Sequence, residues 1–340
     1  MIVRLSSLGD IVHALPAQQR IAGAFPGAEV HWLSEPAYEP LLARVPGIAR
    51  VWPADTRAWR RGLSFLREPA GLIRAFRKER FDIALDFQGL VKSAVLGRLS
   101  GAREVIGFSR DDLREPAAGR FYTRVAPRQK GLQRHVIEQN LSLLSWLGPE
   151  ITSCNGASPL IPLEIPPEAE NYVGTKLREH GIRNPVLINP GAGWVTKLWP
   201  ARDYGRLFQR IKKELKLPVV FTYGPGEEGL IEQARQSASP APLITFPTSI
   251  LEFAALCRRS RLLVAGDTGP LHLAVAMGTP TVAIMGPTSP WRNGPFSSSD
   301  LVVKRYLPCS DSYKRTCDQF ICMDIPVEEV FEALVRRLKL

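Results

Sequence analysis

The feature that most limits what this chain can fold into is an alternation, sustained from end to end, of short apolar β-branched runs and longer amphipathic stretches. Residues 2–5, 29–33, 83–86, 105–107, 185–189, 218–223, 243–246, 262–265 and 281–285 carry strand patterning. Between them, residues 11–24, 93–99, 134–147, 204–215 and 250–258 repeat their apolar positions at helical spacing. Strands that return to one another through helices lie parallel, and the helices cover both faces of the sheet. At 340 residues the chain is longer than one core organises. A proline-rich passage, 159–167, separates two such series. The expected architecture is α/β, with two Rossmann-like, doubly wound domains at 1–160 and 168–325 facing a central cleft. A C-terminal helix at 326–340 closes the chain, its Val327, Val330, Phe331, Leu334, Val335 and Leu338 forming one apolar stripe.

In doubly wound sheets ligands sit outside the carboxyl ends of the strands. That directs attention to five loops. In GDTGPLH, Thr268 and Gly269 open a helix that Pro270 suits and Gly278 ends, so free N–H groups and the helix dipole offer a diphosphate cradle. His272, one turn in, can donate to a phosphate oxygen; the plainer reading is a tight helix start with a satisfied histidine. In NPGAGWVTKLWP, Gly191 and Gly193 admit an anion close to the backbone and Lys197 supplies a point charge. The plainer reading there is a glycine turn with an exposed lysine. YGPGEEG has the spacing of a dinucleotide fingerprint at Gly224, Gly226 and Gly229. The next strand, however, ends in Pro247 and Thr248 where an acidic residue is required, which excludes NAD. Glu227 or Glu228 remains able to accept hydrogen bonds from a ribose. SSLGD places Asp10 between a strand and a helix, as a helix cap or as a general base. DFQGLVKS adds Gln88, Lys92 and Ser93 at the mouth of another strand.

The net charge of +11 calls for an anionic partner: nucleic acid, a phospholipid surface or a phosphorylated substrate. Arg57/Arg60/Arg61, Arg74/Arg77/Lys78/Arg80 and Arg258/Arg259/Arg261 are local clusters. There is no aromatic stacking platform, compact basic helix or zinc-finger spacing, so a nucleic-acid-binding protein is the weaker alternative. A noncatalytic nucleotide sensor is a third. Cys309, Cys317 and Cys322 crowd the end without a fourth thiol or a nearby histidine; Asp311 or Asp318 could complete a metal site, but free thiols are the expectation. HExxH, GxxxxGK[ST], GxSxG and DxD motifs are all missing. No apolar run has the length of a membrane span, and the N-terminus lacks the pattern of a signal peptide, which makes cytoplasm the expected compartment.

SSLGDIVHALPA, DFQGLVKSA, REPAAGRFY, TKLWP and GDTGPLHLAVAMGTPTVAIMGPT follow one another in an order and spacing that resembles the lipopolysaccharide heptosyltransferases of glycosyltransferase family 9, most closely their heptosyltransferase I branch. The resemblance implies a GT-B fold with acceptor on the first domain and nucleotide-sugar donor on the second. It implies inverting, metal-independent transfer of L-glycero-D-manno-heptose from ADP-heptose to a Kdo residue on lipid A, with no other cofactor. Asp10 matches the catalytic base and Lys197 the lysine that steadies the leaving diphosphate. Gly191, Gly193, Asp267, Thr268, Gly269 and His272 match the donor loops, Glu228 (or, one residue earlier, Glu227) the ribose contact, and Thr248 the adenosine contact. Arg57, Arg60, Arg61, Lys92 and Arg114 match a basic acceptor surface, and Ser7 and Gln88 are placed with it. The positive charge then faces an anionic lipid at the inner face of the plasma membrane, with the protein peripherally attached. The chain departs from the branch pattern in carrying Ala192 and Gly193 before the lysine, and its cysteine-bearing tail is closer to heptosyltransferase II. The alternative is therefore a related family 9 transferase with another sugar or core acceptor.

Overall fold

The computed structural model describes residues 1–56, 58–60, 67–129, 131–152 and 159–339. The chain divides into two compact units, Met1–Glu164 and Ile165–Leu340.

The first unit contains β1 (Ile2–Val3), α1 (Leu8–Ala24), β2 (His31–Ser34), the single turn α2 (Glu39–Leu42), β3 (Arg50–Pro53), α3 (Arg67–Glu79), β4 (Ile83–Asp86), α4 (Val91–Leu99), β5 (Glu104–Gly107), β6 (Arg124–Val125) and α5 (Val136–Ser142). Its strands make one parallel sheet in the order β3-β2-β1-β4-β5-β6. Val3, Leu33, Ala84 and Val105 from the sheet pack with Trp52 and Phe76 in one apolar cluster. The order reverses between β1 and β4, where successive crossovers leave to opposite sides and open a crevice at the carboxyl ends.

The second unit contains α6 (Pro167–Glu179), β7 (Val186–Asn189), α7 (Ala201–Arg210), β8 (Val219–Phe221), α8 (Glu228–Ala238), α9 (Ile250–Arg258), β9 (Leu262–Gly266), α10 (Gly269–Ala276), β10 (Thr281–Met285), the single turn α11 (Pro290–Asn293), β11 (Leu301–Lys304) and α12 (Val327–Leu338). Its parallel sheet runs β11-β10-β9-β7-β8, and here the reversal lies between β7 and β9. Trp199 and Tyr204 meet edge to face at 4.7 Å in the core, and α12 adds Val330, Phe331 and Leu334.

The structure differs from the sequence expectation in identifiable ways. The run at 2–5 forms a ladder only over Ile2–Val3, because the Leu5 and Ser6 amides donate to Gln88 Oε1 rather than to a neighbouring strand. The run at 243–246 is held between Pro242 and Pro247 and contributes one bridge, Thr245 to Phe221, rather than a strand. The stretch 134–147 winds as α-helix only over Val136–Ser142 and tightens into a 3₁₀ turn at Leu143–Trp146. The stretch 204–215 starts earlier, at Ala201, and widens into a π-helical turn over Ile211–Leu215 before Lys216 turns left-handed at φ 55°. Strands β3, β6 and β11 carry no expectation. They are sheet edges, and edge strands are short, tolerate proline and need no continuous apolar run.

Candidate active site

Asp10 sits in the first turn of α1, three positions after the cap residue Ser7. Its Oδ2 accepts from the Ser7 N–H and from Ser7 Oγ, both at 3.0 Å. Its Oδ1 lies 2.7 Å from Arg4 Nη2. The side chain keeps 39% of its surface exposed. Burial pushes the carboxyl up, but the Arg4 guanidinium and the Ser7 donors outweigh it and hold the group below the ordinary aspartate value. Asp10 is not the N-cap itself, but its carboxylate takes the Ser7 N–H as the third residue of a capping box, so it serves the helix start while remaining an ionised, oriented, half-exposed carboxylate beside the reversal of the sheet.

The loop after β4 supports this arrangement. Asp86 is buried and accepts from the Gln88 and Gly89 amides at 2.8 and 3.2 Å, from Ser93 Oγ at 2.9 Å and from Tyr122 Oη at 2.8 Å. Burial raises its carboxyl above the ordinary value despite these donors. The turn it shapes presents Gln88, whose Oε1 takes the Leu5 and Ser6 amides at 3.0 and 3.2 Å. Gln88 therefore stitches the loop that carries Asp10, and its carbonyl oxygen is already used. Lys92 Nζ donates to Thr56 Oγ1 at 2.9 Å, and Thr56 in turn bonds the buried Glu35. Arg114 is exposed just beyond the one-turn helix Arg110–Asp112, two residues before the 3₁₀ turn Pro116–Phe121. Arg57 and Arg61 lie outside the described residues; Arg60 ends the short turn Ala58–Arg60.

In the second unit the loops after β7 and β9 converge. Asp267, 4% exposed, is their hub. Its Oδ2 takes Lys197 Nζ at 2.7 Å and Thr288 Oγ1 at 2.7 Å, while Oδ1 lies 3.2 Å from His272 Nε2. Burial works to raise this carboxyl, yet His272 and Lys197 together hold it well below the usual carboxylate range. Thr268 caps α10 by accepting from the Leu271 N–H at 3.5 Å, leaving Gly269 as the first helical residue. Lys197 also lies over the Trp194 ring at 4.3 Å, with the Arg315 guanidinium 4.7 Å from the same ring.

The glycine at 191 has a specific reason. A Cβ there would stand 2.2 Å from the Glu227 carboxylate, which lies across it while accepting from the Gly224 N–H at 2.7 Å. Gly193 faces open space. Of the two adjacent acids, the structure brings Glu227 to the loop, whereas Glu228 is exposed in the first turn of α8. Thr248, half-buried, precedes the Ser249 cap of α9. Arg4, Trp194, Thr288 and Arg315 carry no sequence expectation. Only Arg4 leaves a trace there, as a lone cation in an apolar strand.

Among the described residues no group of three or more His, Cys, Asp or Glu is arranged to hold a metal ion. Cys309, Cys317 and Cys322 are free thiols. No described helix is long and apolar enough to cross a membrane.

The family model for glycosyltransferase family 9 (heptosyltransferase) matches residues 70–320. The chain is 32% identical over 330 residues to lipopolysaccharide heptosyltransferase 1 of Pseudomonas aeruginosa, covering 93% of this chain and 86% of that one. It is 27% identical over 317 residues to the protein of the same name from Escherichia coli K12, covering 89% and 92%. Among solved structures, the family 9 glycosyl transferase of Veillonella parvula matches with a TM-score of 0.82 at 20% identity, over 99% of this chain and 96% of that one. E. coli heptosyltransferase WaaC with ADP matches with a TM-score of 0.78 at 22% identity, over 99% and 98%. At these identities the structural likeness speaks to the fold, two Rossmann-like α/β units of the GT-B type.

Proposed function

Given that the chain belongs to glycosyltransferase family 9, the heptosyltransferases of lipopolysaccharide core synthesis, we propose that it transfers L-glycero-D-manno-heptose from ADP-heptose to a Kdo residue of the inner core on lipid A, with inversion and without a metal ion. The acceptor hydroxyl attacks the anomeric carbon, Asp10 takes its proton, and the bond from that carbon to the diphosphate oxygen breaks on the opposite face. The charge that builds on the departing ADP is met by Lys197, by N–H groups of the Gly191–Gly193 turn and by the start of α10 at Thr268 and Gly269. His272 donates to a phosphate oxygen, and Asp267 fixes both Lys197 and His272 rather than meeting the anion itself. Glu227, better placed than Glu228, accepts from the ribose, and Thr248 borders the adenosine. On the acceptor side the cations are Lys92, Arg114 and the arginines at 57, 60 and 61. The enzyme works in the cytoplasm at the inner face of the plasma membrane, held there peripherally by its positive surface.

One observation carries this reading: the ionised, half-exposed carboxylate of Asp10 at the reversal of the first sheet. The WaaC structure with ADP supports the choice of nucleotide. The test is transfer from ADP-, UDP- and GDP-sugars to Kdo-bearing lipid A, with and without a heptose already attached, followed by assignment of the product anomer. Asp10→Ala should lose at least about 100-fold in turnover while still binding ADP, the range for a missing general base. Similar rates for variant and wild type, or a preference for the heptose-bearing acceptor, would refute the base or the acceptor assignment respectively.

A further inference from the structure

We propose that Arg4 is a positioning residue for the transfer reaction, holding the Asp10 carboxylate in the orientation from which it takes the acceptor proton. The inference rests on Asp10 being the base, and it adds a residue outside all five loops.

The guanidinium reaches two places. Nη1 donates to the Phe87 carbonyl beyond β4, and Nη2 lies 2.7 Å from Asp10 Oδ1. The next residue, Gln88, takes the Leu5 and Ser6 amides. Arg4 thereby ties the ends of β1 and β4 to the first turn of α1, across the reversal of the sheet. Ser7 holds the second carboxylate oxygen, so neither oxygen can swing.

The arrangement is poor for stability alone. Arg4 is only 11% exposed on its side chain, and its buried Nε has no hydrogen-bond partner. An aliphatic side chain of that volume avoids both the desolvation and the orphaned donor. What the arginine supplies is a guanidinium fixed in two directions, on the Phe87 carbonyl and on the Asp10 carboxylate. Among the described ionisable groups near α1, His135, Glu138 and Asp86 have their own partners. His135 caps α5 through Nδ1, Glu138 accepts from the His135 N–H, and His13 meets the His135 ring edge-on. Glu150 lies on the 149–152 turn, and Asp86 beside β1 is bonded to four donors. Among the described residues, Arg4 is the cation paired with Asp10.

A carboxylate next to a fixed cation ionises at lower pH, so losing the cation moves its titration upward, by about 1–3 units for a close pair. The experiment is kcat/KM against pH for wild type, Arg4→Met, Arg4→Lys and Asp10→Ala, using ADP-heptose and Kdo-bearing lipid A. Arg4→Met is expected to move the acid limb up by at least about 1 unit and to lower the plateau by about 100-fold, the loss that follows a small misplacement of a reacting group. Arg4→Lys keeps a charge but cannot span both contacts; its limb stays at the wild-type position while its plateau falls. An Arg4→Met limb that stays in place would reduce Arg4 to a structural role and overturn the proposal. Should Arg4→Met fail to give a cooperative melt, Arg4→Lys decides: a wild-type plateau overturns the proposal, a lowered plateau with an unmoved limb upholds it. Full activity in Asp10→Ala would instead remove the base assignment, a failure distinct from that of Arg4.

Discussion

Asp267 shows how far one buried carboxylate can organise a site. Lys197, His272 and Thr288 come from three separate stretches of chain and meet on its two oxygens. Removing one partner of such a pair strands the other charge, which costs about 3–5 kcal/mol. Lys197→Met should therefore lower the melting temperature as well as slow transfer, whereas the double variant Lys197→Met/Asp267→Asn should regain most of the lost stability and none of the turnover. A single variant that melts like wild type would show that the pair contributes nothing to the fold. The same carboxylate links stability to pH. Its folded value lies below the unfolded value of about 3.9, so the unfolded chain binds the proton first as pH falls. The stabilisation is complete above about pH 4 and is lost progressively as pH drops toward the folded value. Urea midpoints measured for wild type and Asp267→Asn should converge as the medium becomes acidic; a gap that stays constant would refute the linkage.

At the scale of elements, α7 and α8 approach so closely that Gly205 is required between them. A Cβ at 205 would lie 2.3 Å from the Ala234 carbonyl oxygen, a backbone atom that cannot step aside. Helix propensity alone favours alanine there by about 0.5–1 kcal/mol, while overpacking costs about 1–3 kcal/mol. The contact wins, so Gly205→Ala should lower the melting temperature by several degrees and leave ADP binding intact; a rise in melting temperature would contradict the contact. This residue also marks the boundary of what the sequence reveals. Central strands such as Ile83–Asp86 and Thr281–Met285, and the helix Val327–Leu338, are legible because burial on both faces, or on one stripe, imprints a periodic apolar pattern. Edge strands leave little imprint, and a glycine forced by a neighbouring helix looks like any other. The site divides along the same line. Asp10, Lys197 and His272 are visible because each follows a strand in a glycine-bearing loop. Arg4, Thr288 and the position of Glu227, rather than Glu228, beside Gly191 depend on which strands are neighbours, or on a single step of rotation at a helix start, and neither is written locally.

For the whole molecule the governing quantity is the +11 charge, shared nearly evenly between the two units rather than gathered in one tail. In the first unit α3 turns Phe76 inward while Arg74, Arg77 and Lys78 lie exposed. An anionic bilayer attracts each such residue near its surface by about 1 kcal/mol, and the attraction decays over a screening length of about 10 Å at 0.1 M salt. If the proposed lipid acceptor is met at the membrane face, the protein should sediment with phosphatidylglycerol vesicles at low salt, release at high salt, and ignore phosphatidylcholine vesicles throughout. Charge reversal at Arg74, Arg77 and Lys78 separates a local surface from a general field. Binding reduced about tenfold or more, equivalent to roughly 1.4 kcal/mol, places α3 against the lipid, whereas unchanged binding assigns the attraction to the remaining charges. Equal sedimentation with charged and neutral vesicles would remove electrostatics from membrane attachment, and the charge surplus would then need its anionic partner in the soluble donor alone.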